Sequence, residues 1–258
     1  MVCKTCENSL RSDFSYCPSC GGKIVRNRLT LKNIWQDISF QVFDLDNTLF
    51  KTFKHLIKKP EVVIESYISG ARKKYMNPIS YMAIAITLTG ILLFFIKRVF
   101  PEGIDFDIMN TGVYDLETNK KLTDFMLNFY NILFILQISI LALAGKISFE
   151  EKKYLFAEHL VCFMYTQAQF SILSIPLSLI IVLTMPQYYM SLSMFLLVIM
   201  VSYNIYVLRR IHTKESSGFT LKAFIFLMLF GTGYVLLSIL QFIWMYATGV
   251  ISFAGQIN

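Results

Sequence analysis

The sequence predicts an all-α membrane protein, a bundle of five transmembrane helices behind a small N-terminal cysteine ribbon, and three observations predict it. The 258 residues are 55% hydrophobic and only 16% charged, with a mean hydropathy of +0.54, whereas soluble domains are about a quarter charged. The charge is also confined, since 13 of the 24 Lys and Arg fall in the first 78 residues. Four of the 5 cysteines form two Cys-x-x-Cys pairs ahead of residue 21. Together these give a ribbon over residues 1–26, a basic juxtamembrane region of amphipathic helices over 27–78, and a five-span domain over 79–258. A net charge of +7 beside membrane spans is explained by topology and anionic lipid, and no nucleic-acid partner is expected.

Cys3-x-x-Cys6 and Cys17-x-x-Cys20 stand ten residues apart. A Cys-x-x-Cys turn presents two thiolates from one tight loop, and two such turns close a tetrahedron around zinc. Pro18, Gly21 and Gly22 suit those turns. So short a segment cannot build its own core, so metal binding supplies its folding energy. With all four positions filled by protein the zinc is structural, because no position is left for an activated water. No apolar leader precedes the pairs, so this part is expected in the cytoplasm, where thiols stay reduced. Cys162, in the third span, reads as a small buried hydrophobe.

The five apolar stretches run over about 79–96, 125–144, 156–184, 188–208 and 223–247, each long enough or nearly so for a hydrocarbon core of about 30 Å. They are apolar nearly all round, which separates them from soluble core helices. Pro176 predicts a tilt or kink in the third, and a four-span reading stays open if the third or fourth is re-entrant. Lys146, Lys152 and Lys153 in the second–third loop, and Arg209, Arg210, Lys214 and Lys222 in the fourth–fifth, join the basic N-terminal part in placing the N-terminus inside. Five crossings then put the C-terminus outside.

Residues 42–49 read Val-Phe-Asp-Leu-Asp-Asn-Thr-Leu, similar to the first motif of haloacid dehalogenase-like phosphatases, in which the first Asp is a nucleophile and the second a general acid. That fold needs a doubly wound sheet of well over a hundred residues, and about thirty remain before the first span. The Asp44-x-Asp46-x-Thr48 string therefore reads as a decoy, a polar turn with Asp44 as a helix N-cap, and no enzyme activity is expected.

The juxtamembrane region places Leu31, Ile34, Trp35, Ile38 and Val42 at helical spacing, then Leu49, Phe53, Leu56 and Ile57 on one face with Lys51, Lys54, Lys58 and Lys59 beside them. Pro60 breaks that helix, and a further one over 61–71 ends near Gly70. These stretches either insert into the membrane interface or pack on the cytoplasmic ends of the spans. Lys54, Lys58, Lys59, Arg72, Lys73 and Lys74 are the candidates for contact with lipid headgroups or a protein partner.

Three strings carry a resemblance: the cysteine pairs with Tyr16-Cys17-Pro18-Ser19-Cys20-Gly21, Thr52-Phe53-Lys54-His55-Leu56 with Lys59-Pro60, and Tyr67 through Pro78 with its Gly-x-Arg-x-x-Tyr-x-Asn-Pro pattern. They are similar to DUF3667, a family of uncharacterised bacterial membrane proteins, with Glu158-His159-Leu160-Val161 as a further element. The resemblance implies a zinc-ribbon protein of the bacterial inner membrane and transfers no catalytic residue. Within the spans, Glu158, His159, Gln167 and Gln169 are the candidate functional polar residues, with Glu158, Cys162 and Gln169 at helical spacing. Against a proton or ion path stands a plainer reading, in which Glu158 snorkels or pairs with Lys152 or Arg210 and His159 sits at headgroup depth. Asn128, Asn131 and Asn204 are expected to hydrogen-bond between helices. The composition thus favours a non-enzymatic scaffold or adaptor, with a transporter of small solutes, ions or protons as the alternative.

Overall fold

The computed structural model describes residues 2–3, 6–20, 48–100, 116–149, 153–185, 188–212 and 218–249. The chain divides into two compact units, 1–46 and 47–258. In the first, the described residues form a short knot of turns with an antiparallel bridge between Val2 and Ser9. Leu10 is buried there with Cys3 and Cys17, and Phe14 packs on them.

The second unit is helical among its described residues: α1 (48–58), then α2 (Pro60–Ile68), α3 (Pro78–Val99), α4 (Leu116–Ser148), α5 (Phe156–Thr184), α6 (Tyr189–His212) and α7 (Phe219–Ala247). Five of these, α3 to α7, are long and apolar enough to cross a membrane. Their boundaries have local causes. Pro60 and Pro78 sit in the first turns of α2 and α3, where a missing N–H costs nothing. Asn77 caps α3, its Oδ1 accepting from the Ile79 N–H at 2.9 Å. Gly70, with φ +98°, turns the chain after α2 through a region that side chains avoid.

Helix α5 is the centre of the bundle, packing on α2, α3, α4 and α6, while α7 packs on α4. The clusters show the direction of each helix. Tyr81 and Ala85 at the start of α3 share a core with Cys162, Tyr165 and Ala168 of α5, and with Val207 and Ile211 near the end of α6. Leu92 and Ile96 meet Val182 at the opposite end. Phe134 to Ala144 of α4 meet Phe163 of α5, Leu208 of α6, and Phe226 and Phe230 of α7. Leu122 and Phe125 of α4 meet Met245 of α7. Helices successive in the chain therefore alternate in direction, and the packed pair α3 and α5 run parallel. Pro176 is tolerated within α5, on its exposed side. Large apolar side chains such as Phe94 and Phe195 point outward at 73% and 70% exposure, an arrangement that lipid satisfies and water does not.

Candidate functional site

The four cysteines of the first unit converge, with all their sulfurs within 4.8 Å of one another. Cys3 and Cys20 sulfurs are 3.7 Å apart, and those of Cys6 and Cys17 are 3.6 Å apart. A tetrahedron with Zn–S bonds of ~2.3 Å has S···S edges of ~3.8 Å, which these two edges match, so the set could hold zinc. The first turn is closed by the Cys3 N–H donating to the Asn8 carbonyl and the Glu7 N–H to the Cys3 carbonyl, both at 2.9 Å. Glu7 takes φ +60° there, the place after a Cys pair that Gly21 holds in the second. The Cys20 amide holds the Cys17 thiol below its ordinary value. Although the Asn8 amide pulls the Cys6 thiol down, the neighbouring Cys20 thiol and burial push it up to about 12. Thiols this close cannot all ionise against one another, and a bound divalent cation removes that conflict.

The second unit has its own convergence at the start of α3, a collar formed by α1, α2 and the turn 70–77. Thr52 of α1 is fully buried; its hydroxyl accepts from the Met76 N–H at 3.0 Å and donates to the Thr48 carbonyl at 2.6 Å. His55 Nδ1 and the Tyr75 hydroxyl share a hydrogen bond of 2.7 Å. Tyr165 of α5 donates to the Met76 carbonyl at 2.5 Å. From α6, the Tyr203 hydroxyl donates to the Leu56 carbonyl at 3.0 Å, and Tyr206 to that of Ile57 at 3.2 Å. Arg210 forks onto Glu61 of α2, with contacts of 2.7 and 3.1 Å. Lys51 and Lys74 lie near the Tyr75 ring, at 5.3 and 5.5 Å from its centroid, and Arg72 lies 5.6 Å from that of Tyr67. Burial, reinforced by the charges of Lys51, Lys59, Lys54 and Lys74, holds His55 below its ordinary value, while burial raises the Tyr75 hydroxyl.

These contacts join the strings around Thr52 and Tyr75, which carried the resemblance. Residues 46–90 match the model of DUF3667, a protein family of unknown function. The family resemblance therefore holds, and the matched segment is the collar with the first half of α3. The cysteine pairs and Glu158-His159 lie outside it. No curated protein and no solved structure matches the chain.

Around this family segment the predicted side chains fall as follows. Lys54, Lys58, Lys59, Arg72, Lys73 and Lys74 are exposed. Leu56 is fully buried, whereas Ile57, expected on the same inward face, is 40% exposed; Thr52, a turn before Leu56, takes the inward position and Ile57 contributes its carbonyl instead. Asp44 and Asp46 of the phosphatase-like string, the helical pattern over 31–42, and Lys152 lie outside the described residues. Glu158 does not take Arg210, which holds Glu61; its carboxylate accepts from the Leu155 N–H at 2.7 Å and caps α5. His159 is buried at 2% exposure, with Tyr154 edge-on to its ring.

Gln167 and Gln169 are buried, and the side-chain nitrogen of each lacks a hydrogen-bond partner among the described residues. Gln169 Oε1 accepts from the buried Tyr81 hydroxyl. Asn204 bridges helices as expected, accepting from the Thr166 hydroxyl at 2.9 Å. Asn128 and Asn131 instead lie on the exposed side of α4. Cys162 is buried among apolar neighbours. Sequence reasoning missed the tyrosines. Tyr81, Tyr165 and Tyr203 read as span aromatics, and only their helical register toward the collar marks them as hydrogen-bond donors.

Proposed function

We propose that this chain is a non-enzymatic scaffold or adaptor of the bacterial inner membrane, presenting a structural zinc module and a basic platform on the cytoplasmic side. The carrying observation is the cysteine cluster, whose sulfur separations match a closed zinc tetrahedron. Such a shell stabilises a fold and leaves no coordination position for chemistry. Cys3, Cys6, Cys17 and Cys20 are the ligands. Lys54, Lys58, Lys59, Arg72, Lys73 and Lys74 of the platform meet anionic lipid or a protein partner. Orientation is supported by the charge at the collar end of the bundle, where Arg209 and Arg210 end α6 and Lys222 opens α7. The other end, with Lys97, Arg98, Lys120 and Lys121 among its acids, does not vote clearly, since the rule counts Lys and Arg and gives acids little weight.

Metal analysis of the purified, reduced, full-length protein tests the zinc module: one zinc per chain is expected, lost in Cys17→Ser together with protease resistance of the N-terminal part. A metal-free wild type overturns the reading. A reporter fused after Asn258 is expected to read extracytoplasmic. The transporter alternative draws support from the unpartnered amide nitrogens of Gln167 and Gln169 in the bundle interior. A proton or solute flux in proteoliposomes that Gln169→Leu abolishes would establish it over the scaffold.

A further inference from the structure

We infer that Lys51, Lys74, His55 and Tyr75 form a binding site for a phosphate-monoester group, supplied by a lipid headgroup or by free phosphate. The inference rests on the basic platform proposed above and names a ligand chemistry within it. Lys51 comes from α1 and Lys74 from the turn before α3, yet both ammoniums stand over one ring, 5.3 and 5.5 Å from the Tyr75 centroid. Lys54 and Lys59 are close enough for their charges to act on His55 as well. Glu61 of α2 is engaged by Arg210. Among the described residues, neither Lys51 nor Lys74 has an acidic side chain within ion-pair distance.

Like charges drawn together without an acid repel, and an anion between them reverses the sign of that interaction. Two ammoniums match the dianion of a phosphate monoester, whereas a carboxylate or phosphodiester leaves one cation uncompensated. His55 and Tyr75, hydrogen-bonded to each other at 2.7 Å, keep one further polar hydrogen to donate. The turn 70–74, folded back by Gly70, lines an open depression that reaches Lys74. Phe50 and Ile57 of α1 are exposed at 70% and 40%, as suits a helix that rests on acyl chains while its lysines meet headgroups.

The test uses the full chain in mixed-lipid nanodiscs of phosphatidylcholine with either phosphatidic acid or phosphatidylglycerol, and native mass spectrometry of retained lipid. Wild type is expected to retain phosphatidic acid preferentially. Lys51→Gln/Lys74→Gln should lose about 30-fold of that retention, as expected for two lysines at a lipid surface. The charge-matched Lys146→Gln/Lys222→Gln, outside the platform, should lose little, and Lys51→Arg/Lys74→Arg should keep it, which separates binding from folding. Equal losses in the two Gln pairs would overturn the site and leave a diffuse platform. No preference for either anionic lipid in the wild type, together with no binding of inorganic phosphate, would overturn both. Inorganic phosphate is titrated in parallel, read by its phosphorus NMR line width. Broadening that depends on Lys51 and Lys74 assigns soluble phosphate as the source, and retained lipid without broadening assigns the headgroup; either upholds the site.

Discussion

Replacing Thr52 by valine tests whether the collar is held by one side chain. Valine has nearly the shape of threonine, so the fully buried site keeps its packing and loses only the hydroxyl. That hydroxyl accepts from the Met76 N–H at 3.0 Å, in a buried bond between residues 24 apart in sequence. The Thr48 carbonyl that it bonds at 2.6 Å lies one turn back on the same helix and is the lesser loss. The Met76 N–H has no such substitute, since the turn has no helical ladder. Stranding a buried donor costs about 1–3 kcal/mol, which lowers protection of that amide by roughly 5- to 150-fold if the turn opens locally. Hydrogen exchange read on peptides covering 70–78 measures this directly, with peptides from the α5 interior as an internal reference. Thr52→Ser, which keeps the hydroxyl, should stay near wild type. Unchanged protection of 70–78 in Thr52→Val would refute the reasoning, because the turn would then be held by the Tyr165 bond to the Met76 carbonyl or by packing alone.

Further outcomes follow from packing, buried polarity and charge. A Cβ on Gly145 would meet the ring of Phe163 at 2.7 Å, and Phe163 is fully buried. Gly145→Ala should therefore lower stability by about 1–3 kcal/mol in a detergent melt, while Gly90→Ala, with nothing within 4 Å, should be neutral or gain up to ~1 kcal/mol. Tyr81→Phe leaves both ends of the buried Gln169 amide without partners; it and Gln169→Leu should each destabilise, and the double variant should lose less than their sum by about 1–2 kcal/mol. His55 sits below its ordinary value, first through burial and then through the nearby lysines. Its folded form then binds fewer protons than the unfolded one, so its contribution is intact above pH ~6.5 and is lost as pH falls through the lowered value. Protection of peptides over 70–78, taken relative to the intrinsic exchange rate at each pH, should fall on acidification in that window, and His55→Gln should flatten the fall.

The spans were legible because lipid imposes a demand that a single chain displays locally, some twenty apolar residues with few charges. The third span's limits coincide with α5. Helix ends were less legible, because a charge marks where the hydrocarbon stops and not where the backbone ladder stops. Helix α6 continues past Arg209 and Arg210 to His212, with Arg210 reaching sideways to Glu61. Helix α4 starts at Leu116, within a polar stretch stabilised by the Glu117–Lys121 pair one turn apart. The collar was legible only as composition. Basic residues and a Gly-x-Arg-x-x-Tyr-x-Asn-Pro string are visible in the sequence, but the pairing of Thr52 with Met76, and of His55 with Tyr75, depends on how α1 and the turn meet around α5. The reach of the resemblance was also narrower than the motifs suggested, since the matched segment ends at residue 90.

That limit has a physical counterpart in the fold. The matched segment contains α1, α2, the turn and the part of α3 whose Tyr81 and Ala85 are fully buried. These residues meet α5 and α6 through hydrogen bonds to particular backbone atoms, and such bonds tolerate little change in distance or angle. Helix α7 has only 11% of its most apolar window buried, so most of its side chains meet lipid, which asks only that they be apolar. A sequence pattern is restrictive where a side chain must find one carbonyl and permissive where it must find hydrocarbon. Yet the donors that complete the collar from α5 and α6, namely Tyr165, Tyr203 and Tyr206, lie beyond the matched residues. The segment is therefore not a free-standing module: its backbone carbonyls at Leu56, Ile57 and Met76 are satisfied only when those two helices are in place. The platform that carries the lysines is thus tied to the bundle beneath it by hydrogen bonds from two helices, which is what a headgroup site or docking surface at this end requires.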